Sequence, residues 1–437
     1  MFTYYLDLAL RSFRSARGLT TLMVLAIAMG IGACMTTLTV YRALSGDPLP
    51  GRSSHVFRVE LDAQARTGYV PGDEPDEQLT RFDAEQLLRE HRADRQAMMT
   101  GGTAAVVPAA DTPGGAQPFF TDVRYTTADF FAMFGVPFLH GRGWTADDDA
   151  AGAPVIVLTK RMNDRLFGGA DSTGRTVRLR DADYRIVGIL DEWQPVPYFF
   201  DLDIGSYRAA ERMLLPIRTA IDHKLGSNGN IHCWGDAPVG NSRTLDAPCS
   251  WIQYWVQIDD PARVAAYRDY LTGYSSRQHA AGRFERAPNV RLRDVNQWLA
   301  FKHVVPDDVR LQVGLAFGFL LVCLVNTVGL LLAKCLRRSG EIGVRRALGA
   351  RRAQVFGQFL VEAGAVGLAG GLAGLAVAAG GVWLVRQGAG DHVQWVHLDA
   401  TMYLATFALA LATTLLAGVL PAWRACQVSP ALQLKSQ

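Results

Sequence analysis

LQVGLAFGFLLVCLVNTVGLLLA, from Leu311 to Ala333, runs for 23 residues without a charge. A helix needs about 20 apolar residues to cross a bilayer. Core helices of soluble proteins are usually shorter and carry a polar stripe, so this segment reads as a membrane span. Three others share its character. Leu19 to Val40 is uncharged, and Ala363 to Val385 is rich in Gly and Ala, with Gly367, Gly370, Gly371 and Gly374 available for close packing. Ala400 to Trp423 reads as a fourth span, closed by Pro421. The first is too long for a cleaved signal peptide. Its apolar part covers some 22 residues, against about 7–15 for a signal core. No A-x-A site follows it, only Tyr41-Arg42-Ala43-Leu44-Ser45, so an uncleaved anchor is expected.

The flanks of the spans orient them. The connector after Ala333 carries Lys334, Arg337, Arg338, Arg345, Arg346, Arg351 and Arg352 against Glu341 alone. Arg11, Arg14 and Arg17 precede the first span, and Arg424 and Lys435 follow the fourth. Between the third and fourth spans there is only Arg386, against Asp391 and Asp399. Basic residues near spans stay on the cytoplasmic side. Both termini and the basic connector are therefore expected inside, with residues 45–308 outside. The whole chain, 437 residues, is 49% apolar and 19% charged with net charge +3, but the charge is split. Residues 45–308 carry 29 basic and 36 acidic side chains, and the remainder carries 15 and 5. A compact soluble enzyme has no reason to segregate charge in this way. Disordered, collagenous and small disulfide-scaffold classes are excluded by composition.

The external segment is long enough to bury its own core. Val56–Leu61, Val155–Leu158, Thr176–Leu179, Tyr184–Ile189 and Trp251–Ile258 read as strands. Arg81–Arg92, Thr127–Phe134, Lys160–Phe167 and Pro261–Tyr270 read as helices, the last with Asp260 as N-cap. Tyr69–Gln78 and Ala110–Pro118 read as loops, and Asp147-Asp148-Asp149 as a polar loop ahead of a helix. The expected class is a multi-pass α-helical membrane protein whose large extracytoplasmic α+β domain lies between the first and second of four helices. Cys233 and Cys249 bracket a Gly/Pro/Asn-rich loop, so a disulfide is expected in an oxidising compartment. Two free thiols, or a metal site with His232 and His223, are the competing readings. His392 and His397 read as part of a solvated loop.

Familiar catalytic patterns are missing from these 437 residues. The dipeptide Gly-Lys does not occur, so there is no phosphate loop of the G-x-x-x-x-G-K-[ST] kind. HExxH, G-x-S-x-G and paired CxxC are also absent. No catalytic residue and no metal site are expected, and no cofactor bound by this chain. No ionisable residue lies inside a span except Glu362 at the edge of the third, which disfavours an ion-coupled carrier.

The basic connector reads Arg337-Arg338-Ser339-Gly340-Glu341-Ile342-Gly343-Val344-Arg345-Arg346-Ala347-Leu348-Gly349-Ala350-Arg351-Arg352. Glu341 precedes Arg345 by four residues, a stabilising helical pair. Ile342, Ala347 and Leu348 offer apolar contacts, and Gly349 is a good stop. The next helix restarts near Ala350 and continues through Phe356, Phe359 and Leu360. From these residues alone, a collar on the lipid surface and a knob for a cytosolic partner are equally open.

Glu341–Arg352 resembles the coupling segment of ABC-transporter permeases of the MacB/FtsX type, whose pattern is close to E-I-G-x-R-R-A-L-G-A. Other stretches resemble the family in order and spacing: Ala9–Arg14, Tyr125–Gly143, Pro154–Leu158, Leu166–Gly169, Arg185–Leu190, Glu362, Pro421–Arg424 and Val428–Ala431. Residues 191–305 share little beyond Leu215-Pro216, and Trp423 stands where a small or basic residue is expected.

The resemblance implies a cytoplasmic N-terminal helix (1–18), spans at 19–44, 309–335, 355–386 and 400–424, a MacB-like periplasmic core at 45–308 and a coupling segment at 336–354. A short periplasmic connector (387–399) and a cytoplasmic tail (425–437) complete the expected order. It also implies a dimer in the bacterial inner membrane, with an identical or paralogous second chain and lipid around it. A separate cytosolic ATPase, using ATP and Mg²⁺, would grip Glu341, Ile342, Arg345, Arg346, Leu348 and Gly349. A periplasmic adaptor is a further expected partner, and nucleic acid is not one. The expected function is mechanical work across the membrane for export, efflux or extraction of a peptide, lipid or drug-like molecule. The alternative is a non-transporting scaffold that regulates a periplasmic partner such as a cell-wall hydrolase.

Overall fold

Helix Asp307–Arg337 grows out of the Leu311–Ala333 run, and its 31 residues reach about 46 Å at 1.5 Å each. That exceeds a hydrocarbon layer of about 30 Å, so its polar ends stand clear of it. The computed structural model describes residues 17–109, 117–235, 242–388 and 400–426. Within them Arg17–Leu44, Arg352–Gly388 and Ala400–Cys426 complete a set of four helices long and apolar enough to cross a membrane. Pro421 does not close the last one. It lies inside a helix that continues to Cys426, because membrane helices tolerate proline where neighbouring groups serve the freed carbonyls. Two expected features, the helix resembling Ala9–Arg14 and the loop holding His392 and His397, lie outside the described residues, as does the tail from Val428.

The chain divides into two units, Met1–Ser45 with Val305–Gln437, and Gly46–Val304. In the first, the third membrane helix is the hub. A Cβ on Gly370 would come within 2.6 Å of Ile27 on the first helix, and one on Gly371 within 2.8 Å of Ala410 on the fourth. Bare backbone is what lets these helices approach, as small residues do in lipid, where no hydrophobic force separates helix from solvent. Met23, Ile27, Ile31 and Met35 supply the first helix's share of the core.

The second unit is built on a mixed sheet. Its main path runs Val290–Asp294, Val56–Leu61, Cys249–Gln257, Arg95–Val107, Phe119–Thr126, Met213–Pro216, Val155–Thr159, Ala182–Leu190, Phe138–Gly141. Phe119–Thr126 pairs parallel with Met213–Pro216, and Val155–Thr159 with Ala182–Leu190. Successive strand residues point to opposite faces, and here both faces are covered. Ile156 and Leu158 enter one core while Val155 and Val157 enter the other. This is why that strand reads as an unbroken apolar run. Helices Arg81–Glu90, Lys160–Phe167 and Ala262–Ala280 cover the first face through Leu87, Leu166 and Leu271. Phe130 and Phe134 of Asp129–Phe134, with Phe199, Phe200 and Trp298, fill the second.

Several expectations need adjusting. Asp147-Asp148-Asp149 is not a loop but the first turn of helix Ala146–Ala151, with Thr145 and Asp148 forming a capping box. Three carboxylates suit the positive end of a helix. Helix Ala262–Ala280 extends ten residues past the expected end at Tyr270. Gly273, Ser275 and Ser276 weaken its local signal, but Tyr267, Leu271 and Tyr274 recur at helical spacing and are buried on the sheet. Strand Arg95–Val107 has little local signal, since Met98-Met99-Thr100-Gly101-Gly102 does not alternate and has only Thr100 β-branched. Its Gly102 is required by tertiary contact: a Cβ there would lie 2.2 Å from the Tyr125 ring.

Candidate functional site

The connector that resembles a coupling segment folds as a short helix, Ser339–Ala347. Glu341 and Arg345 pair across one turn at 2.5 Å, as their spacing requires. Gly349 ends the segment with φ +101°, a conformation suited to glycine. The next helix begins at Arg352, where the Arg351 N–H is held by Gln354 at 2.9 Å.

The helix has an inner and an outer face. Ile342 is 6% exposed and packs with Cys335, Val355, Phe359 and Ala422, joining the ends of the second, third and fourth membrane helices. Arg345 also reaches inward, donating from Nη1 to Gln358 Oε1 at 3.2 Å. On the outer face Leu348 is 83% exposed and Val344 52% exposed. Arg346 is half-buried, and Glu341 and Gly349 are exposed. Of the six residues singled out from the sequence, Ile342 and Arg345 thus brace the helix against its own chain, while Leu348 and Gly349 face outward. Val344 is not among those six. Its spacing of four from Leu348 is the signal that would have found it.

Beneath this helix lies a buried ion pair that the sequence only half disclosed. Lys334, ending the second apolar run, donates to Glu362 on the third membrane helix, and both side chains are almost fully buried. Arg338 Nη1 stands 3.9 Å from the other Glu362 oxygen. Opposite charges at the ends of two consecutive apolar runs were the readable clue.

The sheet domain holds its own buried charges. Arg124 Nη2 donates to Asp201 Oδ2 at 2.8 Å and Glu211 Oε1 at 2.6 Å, and Tyr198 also donates to Glu211. Burial and the competing Glu211 charge outweigh Arg124 and raise Asp201. Burial works against Glu211 too, yet Arg124 and Arg208 hold it below the usual carboxylate value. One guanidinium serves two carboxylates unequally. Cys233 and Cys249 are joined as a disulfide on neighbouring strands. His232 instead faces Asp76 at 2.8 Å, and His223 faces the Tyr184 hydroxyl at 2.7 Å. Among the described residues no cluster of three or more His, Cys, Asp or Glu side chains is placed to hold a metal.

Comparison with known proteins fits these two units. A family model described as the MacB-like periplasmic core domain matches residues 20–274. A second, the FtsX-like permease C-terminal model, matches residues 313–430. The macrolide export ATP-binding/permease protein MacB of Rhodospirillum rubrum is 26% identical over 99% of this chain and 60% of its own length. The pyoverdine export ATP-binding/permease protein PvdT of Pseudomonas aeruginosa is 27% identical over 72% of this chain and 44% of its own. The chain thus spans about half the length of the curated relatives it matches. Among solved structures, the periplasmic region of MacB from Actinobacillus actinomycetemcomitans aligns with 59% of this chain and 95% of its own, at 13% identity and TM-score 0.38.

Proposed function

This chain belongs to the MacB/FtsX-type ABC-transporter permeases, and we propose that it is the membrane subunit through which a separate cytosolic ATPase performs conformational work on the periplasmic core. The observation that carries this reading is the two-faced helix Ser339–Ala347. Ile342 ties it to three membrane helices, and Val344 with Leu348 leaves apolar surface bare. A partner that pushes on Leu348 pushes on the helix bundle as well. Arg346 adds positive charge for acidic residues of the ATPase groove. Basic flanks favour the orientation with this helix in the cytoplasm and residues 45–308 in the periplasm of an inner-membrane protein.

ATP and Mg²⁺ belong in this scheme to the ATPase. A second permease chain, identical or paralogous, completes the complex, and a periplasmic adaptor is a further candidate partner. The work done is export or extraction of a peptide, lipid or drug-like molecule; export, of a macrolide or of pyoverdine, is the task for which the relatives MacB and PvdT are named.

The test is purification of the tagged chain from its native membrane in mild detergent, with identification of everything retained. A cytosolic ATPase should be recovered with the wild type and lost with Leu348→Asp. Equal recovery with both, or external proteins alone with no ATPase, would overturn the reading.

A further inference from the structure

A cavity of ≈ 460 Å³ opens in the sheet domain between helix Ile217–Asp222, the turn that follows it, and the strand residues Tyr125 and Trp251. One wall is apolar, made by Ile217, Ala220, Ile221 and Leu225. The remainder carries Arg81, Lys224 and Arg243, and among the described residues no carboxylate lines it. This runs against its setting, since residues 45–308 hold 36 acidic side chains to 29 basic. In the larger cleft next to it, ≈ 640 Å³, cations and carboxylates stand together: Arg81 pairs with Glu85 at 2.6 Å, and Arg218 with Asp222 at 3.7 Å.

Of the cations of the smaller cavity Arg81 is thus matched, whereas Lys224 and Arg243 have no carboxylate partner among the described residues. Arg243 is half-buried, and its guanidinium lies 5.5 Å from the Trp251 ring centroid. Its Nε is buried with no acceptor among those residues. The same is true of the Trp251 indole N–H, on a side chain only 3% exposed, and the Ser227 hydroxyl is likewise unpartnered. The Tyr125 hydroxyl donates its proton to the Gly226 carbonyl at 2.8 Å. Lys224 is held in a left-handed conformation, φ +52°, and Arg180 donates to its carbonyl at 3.2 Å. Unpaired buried polar groups and charges are costly. Burial accordingly pulls Arg243 below its ordinary value, with Tyr125 opposing.

We infer that this cavity binds a small amphiphile whose compact anionic head, carboxylate or phosphate, meets Arg243 and Lys224 while its apolar body lies along Ile217, Ile221 and Leu225. A head of this kind would supply acceptors for a guanidinium fork, and the volume falls within the range of small-molecule sites. The site belongs to the unit Gly46–Val304 and shares no residue with the coupling helix, so its existence does not depend on the ATPase reading.

The experiment uses the full chain in lipid nanodiscs, which avoids detergent, with decanoate, decyl phosphate and decanol analogues that each carry a terminal photoreactive diazirine. The site predicts covalent adducts on the peptide containing Ile217–Leu225 or on Trp251, competed by the unmodified anion and at least about tenfold weaker with decanol. Comparison of the two anions tells which head is preferred. Arg243→Gln should lower labelling by about tenfold, and intact Cys233–Cys249 bonding in that variant shows that the loop has folded. Adducts confined to the membrane helices, equal labelling by decanol, or an undiminished signal in folded Arg243→Gln would each overturn the proposal.

Discussion

Lys334 on the second membrane helix is ion-paired, in a fully packed setting, with Glu362 on the third. These residues are 28 apart in sequence and enclose the whole helix Ser339–Ala347 between them. The pair therefore closes the base of the hairpin that displays the candidate coupling surface. Removing one partner of a buried pair leaves an uncompensated charge and destabilises by about 3–5 kcal/mol, whereas replacing both with apolar groups is often neutral. Glu362→Leu should accordingly lower the thermal stability of the purified protein sharply. The double variant Lys334→Met, Glu362→Leu should recover most of the loss, and a double variant no more stable than the single one would show that the pair does more than neutralise charge.

The two faces of the short helix should separate in experiment. Leu348→Asp and Val344→Asp alter exposed positions, so expression and melting temperature should stay near wild type while ATPase retention falls. Ile342→Asp places a carboxylate in a closed apolar cluster and should lower stability itself, by several kcal/mol. Circular dichroism melts run beside pull-downs distinguish the two classes.

Asp149 makes the sheet domain sensitive to pH. Its carboxylate accepts the Ala128 N–H at 2.6 Å and the Trp144 indole N–H at 2.8 Å, yet burial raises it from 3.8 to about 7. A carboxyl that holds its proton more tightly when folded favours the folded state at low pH, and this contribution is lost as pH rises from 3.8 through about 7. The melting temperature of Asp149→Ala should therefore fall less than that of wild type between pH 5 and pH 8. Equal falls would assign the dependence to other groups.

The Cys233–Cys249 bond closes a loop with a sequence separation of 16. Cross-linking a loop of that size is worth about 3 kcal/mol through the unfolded state. Cys233 is exposed, so Cys233→Ala removes the bond with little change in packing. That variant should melt several degrees lower, and a reducing agent should lower wild type to the same level without affecting the variant.

Much of the architecture could be read locally. Twenty or more uncharged apolar residues have one comfortable solution, a helix in lipid that satisfies its own backbone, and Leu311–Ala333 is such a run. Glu341, Arg345 and Gly349 likewise specify a capped, paired short helix from neighbours within a few positions. Strands such as Val56–Leu61 and Thr176–Leu179 form with the bounds their composition suggests.

What the chain did not disclose depends on residues that meet from far apart. Arg95–Val107 becomes a central strand because its partners Cys249–Gln257 and Phe119–Thr126 accept it, with Gly102 making room for Tyr125. Ile342 and Leu348 are both apolar residues of one segment, and only the packing of three other helices sends the first inward and leaves the second exposed. The Lys334–Glu362 pair, the sharing of Arg124 by Asp201 and Glu211, and the cavity at Arg243 have the same origin. Periodicity reports how a residue relates to its own helix or strand; burial and charge pairing are set by whatever folds against it.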